Sequence, residues 1–362
     1  MDSRTAGTGM GMGMGTGTGM GTGTGMGTES AERDRALGAF HGLALGDALG
    51  MPTQSMSRSD ILADYGRITG FRDAGPRQRI AVGMRAGTIT DDTEQAVMLA
   101  GLLIDGRGHV DPGVFAARLR EWEHGMKARG SLDLLGPSTT AALRRLTDGE
   151  SALTSGRFGS TNGAAMRITP VGIAFGLAPT GVFVDAVAEA SLVTHNTSLG
   201  IGSAAAVAAA VSAGVAGSTL ENAIENAIMA AAEGEQRGHW VAGSSIAARI
   251  RWAVGHLAGL HPDDQADAVC ALIGTSVAAQ ESVVTALALA AVSRNPWETL
   301  CLVAGLGGDT DTIAAICGAV LGSVHGLQAW PAAELDTLRT VNDLDLPVLV
   351  DGLLELRRAH HG

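Results

Sequence analysis

Three glycines stand four residues apart in the phrase Gly42-Leu43-Ala44-Leu45-Gly46-Asp47-Ala48-Leu49-Gly50. The run around them, residues 33–49, places Leu37, Phe40, Leu43, Ala44 and Ala48 on one side of a helix. A four-residue step is close to one helical turn, so Gly42, Gly46 and Gly50 share a face that carries no side chains. A second backbone can approach such a face closely, which points to tight helix-on-helix packing. The rest of the chain has the material for it. Aromatic residues are only 3%, and Ala, Val, Leu and 52 glycines supply most of the apolar mass, which suits closely packed helices better than a β-sandwich.

Pro52 closes this first helix. Residues 57–90 are polar and punctuated by glycine, which predicts a long connection, mostly loop, with at most a short strand at Ile80–Val82. Beyond it, helices are expected at about 93–105, 111–128, 137–147, around Pro170, and at 181–193, 197–216 and 219–233. The pattern continues at 242–258, 263–273, 280–294, 296–304, 311–325, 332–341 and 346–359. Asp111-Pro112 marks one start, an N-cap followed by proline at the first helical position. Ile201–Ala216 comes nearest to a membrane span, but it is short and mostly Ala, Gly and Ser, so it reads as a buried core helix. No linker breaks residues 29–362, which read as one large all-α domain, and 362 residues suffice for a large core. Ala6–Thr28, by contrast, is almost entirely Gly, Met and Thr, and residues 1–28 are expected to form a disordered tail.

Two polar clusters lie far apart on this helical frame. One is Thr90-Asp91-Asp92-Thr93-Glu94, and the other is Gly307-Gly308-Asp309-Thr310-Asp311-Thr312. Each runs straight into an apolar helix, Ala96–Ile104 after the first and Ile313–Val320 after the second. Helix capping needs one side-chain oxygen, whereas each cluster offers two aspartates and two threonines. Four aspartates brought together repel one another unless a cation neutralises them. Oxygen-only donors, without paired His or Cys, point to Mg²⁺, Mn²⁺ or Ca²⁺ rather than Zn²⁺.

A formal charge of −12 argues against a phosphate-backbone binder, and neither a P-loop nor a nucleic-acid module is visible. Cys270, Cys301 and Cys317 fit no metal-ligand spacing and read as buried free thiols in a reducing cytoplasm. His195, in Thr-His-Asn-Thr before an apolar helix, reads by itself as an ordinary packing residue. Asn162-Gly163 reads as a turn, with backbone N–H groups that could also take a phosphate. Gly274-Thr275-Ser276 with Glu281-Ser282 forms a polar patch between apolar helices, either the rim of a ligand cleft or a plain helix-to-helix loop.

The phrases Gly46-Asp47-Ala48-Leu49-Gly50, Thr90-Asp91-Asp92-Thr93, Asn162-Gly163-Ala164-Ala165-Met166-Arg167, Thr194-His195 and Gly307-Gly308-Asp309-Thr310-Asp311-Thr312 resemble the ADP-ribosylglycohydrolase family. This is the fold of the dinitrogenase-reductase-activating glycohydrolases. The resemblance implies a single all-α domain with a binuclear Mg²⁺ or Mn²⁺ centre. Carried over, the ligands would be Thr90, Asp91, Asp92, Asp309, Asp311 and Thr312, with Asp92 or Asp309 as the base that accepts a proton from water. Asp47, Gln54, Asn162, Gly163, Met166, His195 and Gly308 would contact the substrate. The implied reaction is hydrolysis at the anomeric carbon of ADP-ribose attached to a protein side chain, through a transition state with oxocarbenium character.

One position departs from the family. Where its members often carry a glutamate seven residues after the aspartate matched by Asp47, this chain has Gln54. An amide cannot give or take a proton, so an O-linked leaving group that needs an acid is disfavoured, while an N-linked guanidinium, the favoured linkage, or a nucleobase protonated elsewhere is less affected. Two alternatives remain. The same chemistry could act on a small ribosyl nucleoside, since Gly50-Met51-Pro52-Thr53-Gln54 and Leu135-Gly136-Pro137-Ser138-Thr139 are similar to a bacterial branch of the family. The chain could also be a silent ADP-ribose- or metal-binding relative, which the intact ligand set argues against.

Overall fold

The computed structural model describes residues 23–128 and 135–361. In chain order the α-helices are α1 (Gly23–Gly50), α2 (Arg58–Tyr65), α3 (Asp91–Asp105), α4 (Pro112–Ala128), α5 (Pro137–Thr147), α6 (Gly163–Met166), α7 (Thr169–Ala174), α8 (Thr180–His195) and α9 (Ser198–Val215). They continue with α10 (Leu220–Gly234), α11 (Ile246–Ala258), α12 (Pro262–Ala268), α13 (Ala279–Ala291), α14 (Pro296–Ala304), α15 (Thr310–His325), α16 (Ala332–Val341) and α17 (Leu346–His361). The fold is all-α. Among the described residues the only extended pairings are two isolated bridges, Thr161 with Ala278 and Thr197 with His239.

The glycine face of α1 is covered by the backbone of α15. A Cβ on Gly42 would lie 2.2 Å from the carbonyl oxygen of Gly318, and one on Gly46 would lie 2.1 Å from that of Ala314. The fit is mutual, since a Cβ on Gly322 would sit 2.0 Å from the Gly38 carbonyl oxygen. Any side chain on this seam would force the two backbones apart. The pair sits inside one apolar core that includes Phe40, Leu43, Leu45, Ile313 and Leu321. Helix α9 packs against it. All of α9 is buried by protein, as expected for the core helix at 197–216, although its length and apolarity would also cross a membrane.

The departures from expectation have local causes. Helix α2 lies inside the stretch expected to be loop; only Ile61 of its apolar residues is buried while Leu62 is exposed, so its periodic signal is thin. It starts on a Ser57 hydroxyl that accepts the Asp60 N–H at 3.1 Å. No strand forms at Ile80–Val82, where buried Gln78 takes the Ile80 and Ala81 N–H groups on its side-chain oxygen at 2.8 and 3.3 Å. Helix α11 begins at Ile246, four residues late, because Ser245 caps it. The helix expected at 263–273 turns into a single π-helical stretch at Val269–Ile273. That stretch leaves Cys270 exposed, so only Cys317 is a fully buried free thiol. Helix α1 already runs from Gly23, ahead of the helix start expected at Arg33 and of the domain start at Glu29, and the tail expectation for residues 1–22 lies outside the described residues.

Candidate metal centre

The last turns of α1 dock both acidic helix starts. From α1, Asp47 accepts the Thr90 N–H (3.0 and 2.9 Å to its two oxygens) and the Thr93 N–H (3.1 Å). It also accepts the Thr90 and Thr93 hydroxyls, at 2.6 and 2.5 Å. Asp47 therefore caps α3 from another helix, which relieves Asp91 and Asp92 of capping duty. With no exposure and every bond directed at α3, Asp47 orients that helix start; the expected contact with substrate is not available to it. Burial pushes its carboxyl up to about 6, against the lowering effect of the four hydrogen bonds from Thr90 and Thr93.

The second half is set in the same way. A Cβ on Gly50 would lie 2.4 Å from the Asp311 backbone nitrogen, so the end of α1 touches the first turn of α15. The Thr310 hydroxyl donates to the Gly50 carbonyl at 3.1 Å and lies 2.9 Å from the Thr53 hydroxyl. Before it, Gly307 and Gly308 both adopt left-handed φ, +83° and +77°. Gly308 also has no room for a Cβ, which would meet the Thr275 carbonyl oxygen at 2.3 Å. The Gly308 N–H donates to Met56 and its carbonyl accepts from Ser55, so this expected substrate contact is instead the turn that aims Asp309.

The halves meet directly, with the Thr312 hydroxyl donating to Asp92 Oδ2 at 3.3 Å. Asp91, Asp92 and Asp311 are at most 5% exposed, and burial, then the neighbouring carboxylates, drives all three well above the usual range. Asp309 is only half-buried; burial raises it to about 6, opposed by Asn162 and Thr312. One buried oxygen in each half, Asp92 Oδ1 and Asp311 Oδ1, has no hydrogen-bond partner. Orphaned carboxylate oxygens inside such a cluster are costly unless a cation takes them. Among the described residues no three acidic, histidine or cysteine groups already converge on one point. An ion held there would therefore draw on threonine hydroxyls and water as well, as Mg²⁺ commonly does. With that addition, Thr90, Asp91, Asp92, Asp309, Asp311 and Thr312 fit a hard divalent ion.

The remaining predicted residues form the support. Asn162 donates to Asp309 Oδ2 at 2.5 Å and to the Ser282 hydroxyl at 2.9 Å, and its N–H goes to Val277 at 3.0 Å. That backbone N–H is thus unavailable to a phosphate. The polar patch at 274–282 does reach the site, because Thr275 accepts the Asp309 N–H at 2.8 Å. His195 is fully buried, with Nδ1 2.7 Å from the Thr194 hydroxyl and Nε2 3.0 Å from the Thr161 hydroxyl. Burial, then Arg167, holds its pKa well below 6.5, and the neutral ring braces the loop instead of touching a ligand as expected. Gly163 makes room for that ring, since a Cβ there would lie 2.8 Å from His195 Cε1, and Met166 is buried in the same short helix. Gln54 is buried next to the Ser55–Gly308 contact, and its side-chain nitrogen has no partner. Gln95, which no motif singled out, touches Asp91 directly, and Thr93, a member of the first cluster, touches Asp47 rather than the other acids. Their helical position facing the cluster was the available signal. The surface groove of about 320 Å³ lined by His41, Leu335, Leu338 and Leu346 is mostly apolar and lies away from these groups.

A buried, two-part oxygen site at paired helix starts is what the family resemblance calls for, and the chain matches the ADP-ribosylglycohydrolase family over residues 28–361. It belongs to that family. It is 32% identical to YegU of Escherichia coli K12 over 327 residues, 90% of this chain and 98% of that protein. It is 26% identical to the ADP-ribosylarginine hydrolase Tri1 of Pseudomonas putida, over 82% of this chain and 72% of that protein. A solved ADP-ribosylglycohydrolase-related protein complex superposes with a TM-score of 0.67 at 25% identity, covering 90% of this chain and 99% of the matched one. The protein is an ADP-ribosylglycohydrolase-type glycosidase, a hydrolase of glycosidic bonds of ADP-ribose.

Proposed function

We propose that this ADP-ribosylglycohydrolase holds two Mg²⁺ or Mn²⁺ ions and releases ADP-ribose from an arginine side chain of a modified protein. The observation that carries the reading is the pair of buried, partnerless oxygens, Asp92 Oδ1 and Asp311 Oδ1, one in each half of the site. Thr90, Asp91 and Asp92 would hold the ions from α3, and Asp309, Asp311 and Thr312 from α15. When bound, the ions would neutralise the cluster, grip the ribose cis-diol and make water more acidic. Asp309, the least buried of the four aspartates, is the carboxylate best suited to accept the proton of the attacking water, with Asn162 fixing its orientation. Asp92 is the alternative base. As the oxygen of water bonds to the anomeric carbon, the C–N bond breaks and its electron pair leaves with the guanidine. A guanidinium already carries the extra proton, so it departs neutral without an acid. That agrees with Gln54, whose amide can hydrogen-bond the substrate but cannot protonate a leaving oxygen. The similarity to an ADP-ribosylarginine hydrolase supports the same linkage.

A substrate panel tests this directly. Arginine-, serine- and DNA-linked ADP-ribose and simple nucleosides are incubated with Mg²⁺, Mn²⁺ or EDTA, and free ADP-ribose, ribose or base is measured. Release from arginine alone, abolished by EDTA, is the expected result. Cleavage confined to nucleosides would move the substrate to small ribosyl metabolites, and no cleavage with either metal would overturn the reading.

A further inference from the structure

Behind Asp91 lies a cation that the hydrolytic scheme does not use. Arg167 is fully buried, its guanidinium stacked 5.0 Å over the Phe115 ring. It donates to the side-chain oxygen of Gln95 at 3.0 Å and to the Thr194 hydroxyl at 2.5 Å, while its Nε has no partner. Among the described residues no carboxylate pairs with it directly. A buried guanidinium without a direct counter-charge is costly. Gln95 supplies the link, since its side-chain nitrogen donates to Asp91 Oδ2 at 3.2 Å. Only one orientation of the amide serves both neighbours, because arginine can only donate and a carboxylate accepts. A chain of two hydrogen bonds thus runs from the guanidinium to one oxygen of a proposed ion ligand.

We infer that Gln95, held by Arg167, is a positioning pair that keeps Asp91 Oδ2 occupied and leaves a single oxygen, Oδ1, for the ion. The inference rests on the ion site proposed above. Its consequence concerns ion size. Mg²⁺ takes one oxygen per carboxylate in a strict octahedron, while larger Ca²⁺ readily takes both. A carboxylate pinned at one oxygen favours the smaller ion, and the spacer amide keeps the guanidinium from forming a salt bridge that would compete with it.

The test is calorimetric titration of the metal-stripped full chain with MgCl₂ and, separately, CaCl₂. Gln95→Leu should weaken Mg²⁺ binding about 10–100-fold, the usual cost of losing a partner behind a ligand, and leave Ca²⁺ binding nearly unchanged. The double variant Gln95→Leu/Arg167→Met removes the stranded charge as well. It covers the case in which the single variant fails to fold, and should match it within about twofold because both residues act through one amide. Equal losses for the two ions, or none, would overturn the inference while leaving the metal site standing. A wild-type chain that binds neither ion would remove the site itself and this pair's role with it.

Discussion

Helices α1 and α15 meet along a seam of backbone on backbone, and that seam ends at a site with unsatisfied oxygens. Along the seam from Gly38 to Gly46, backbone lies on backbone with no room for a methyl group. At its end, beside Gly50, the carboxylates of α3 and α15 are buried together with two oxygens unpartnered. The seam contributes stability through close packing and removes no polar group from its partners. The pocket concentrates charge that the folded chain alone leaves uncompensated. One depends on the other, because the glycine register decides where Asp47 and Asp311 come to rest. A slip of one turn along the seam would displace the α15 cluster by about 5 Å relative to α3.

Substitutions separate the two regions by the direction of their effects. The largest belongs to the seam. Gly46→Val places a side chain 2.1 Å from the Ala314 carbonyl oxygen at its first atom. Loss of about 3 kcal/mol or more in urea unfolding is expected, with activity lost in proportion to the folded fraction. A mild effect there would show that the seam can open, and would break the comparison. In the pocket, Asp92→Asn should lower turnover at least about 100-fold. The ion-free chain should nevertheless become about 1 kcal/mol more stable, because a buried, like-charged carboxylate is gone. Parallel loss of stability and activity would mean that the pocket is structural after all.

Gln54→Glu returns a titratable group to the place where this chain has an amide. Cleavage of serine-linked ADP-ribose should rise about tenfold relative to the arginine linkage. No change in that ratio would remove Gln54 as the determinant of the leaving group. The smallest effect is on pH dependence. Asp47 and Asp309, ordinarily near 3.8, are raised to about 6, so between those values the folded chain binds protons more readily than the unfolded one. Their contribution to stability is complete below 3.8 and is lost as pH rises through about 6; Asp91, Asp92 and Asp311 carry the loss higher. His195 acts in the opposite sense below its ordinary 6.5, but equally with and without ions. The gap in melting temperature between Mg²⁺ and EDTA samples should therefore widen from pH 5 to pH 8, by about 3 °C or more. A gap independent of pH would mean that the carboxylates are not what the ion neutralises.

How far the sequence reached depended on whether a signal was local. The helices, the glycine face and the two oxygen clusters were legible because period, capping and ligand type are properties of neighbouring residues. Gly42, Gly46 and Gly50 announced a close backbone partner, but only the fold shows that this partner is α15, which carries half of the site. Asp47 illustrates the same limit. Its residue type and place in the motif suggested substrate, yet its hydrogen bonds reach Thr90 and Thr93 on another helix and consume it as a cap. Gln78 replacing a strand, the buried neutral His195 and the Gln95–Arg167 link likewise rest on contacts between residues distant in sequence. The sequence by itself determined which oxygens enter the site. The tertiary structure decided which of them are left free, because a hydrogen-bond partner from another helix is what takes each of the others out of play.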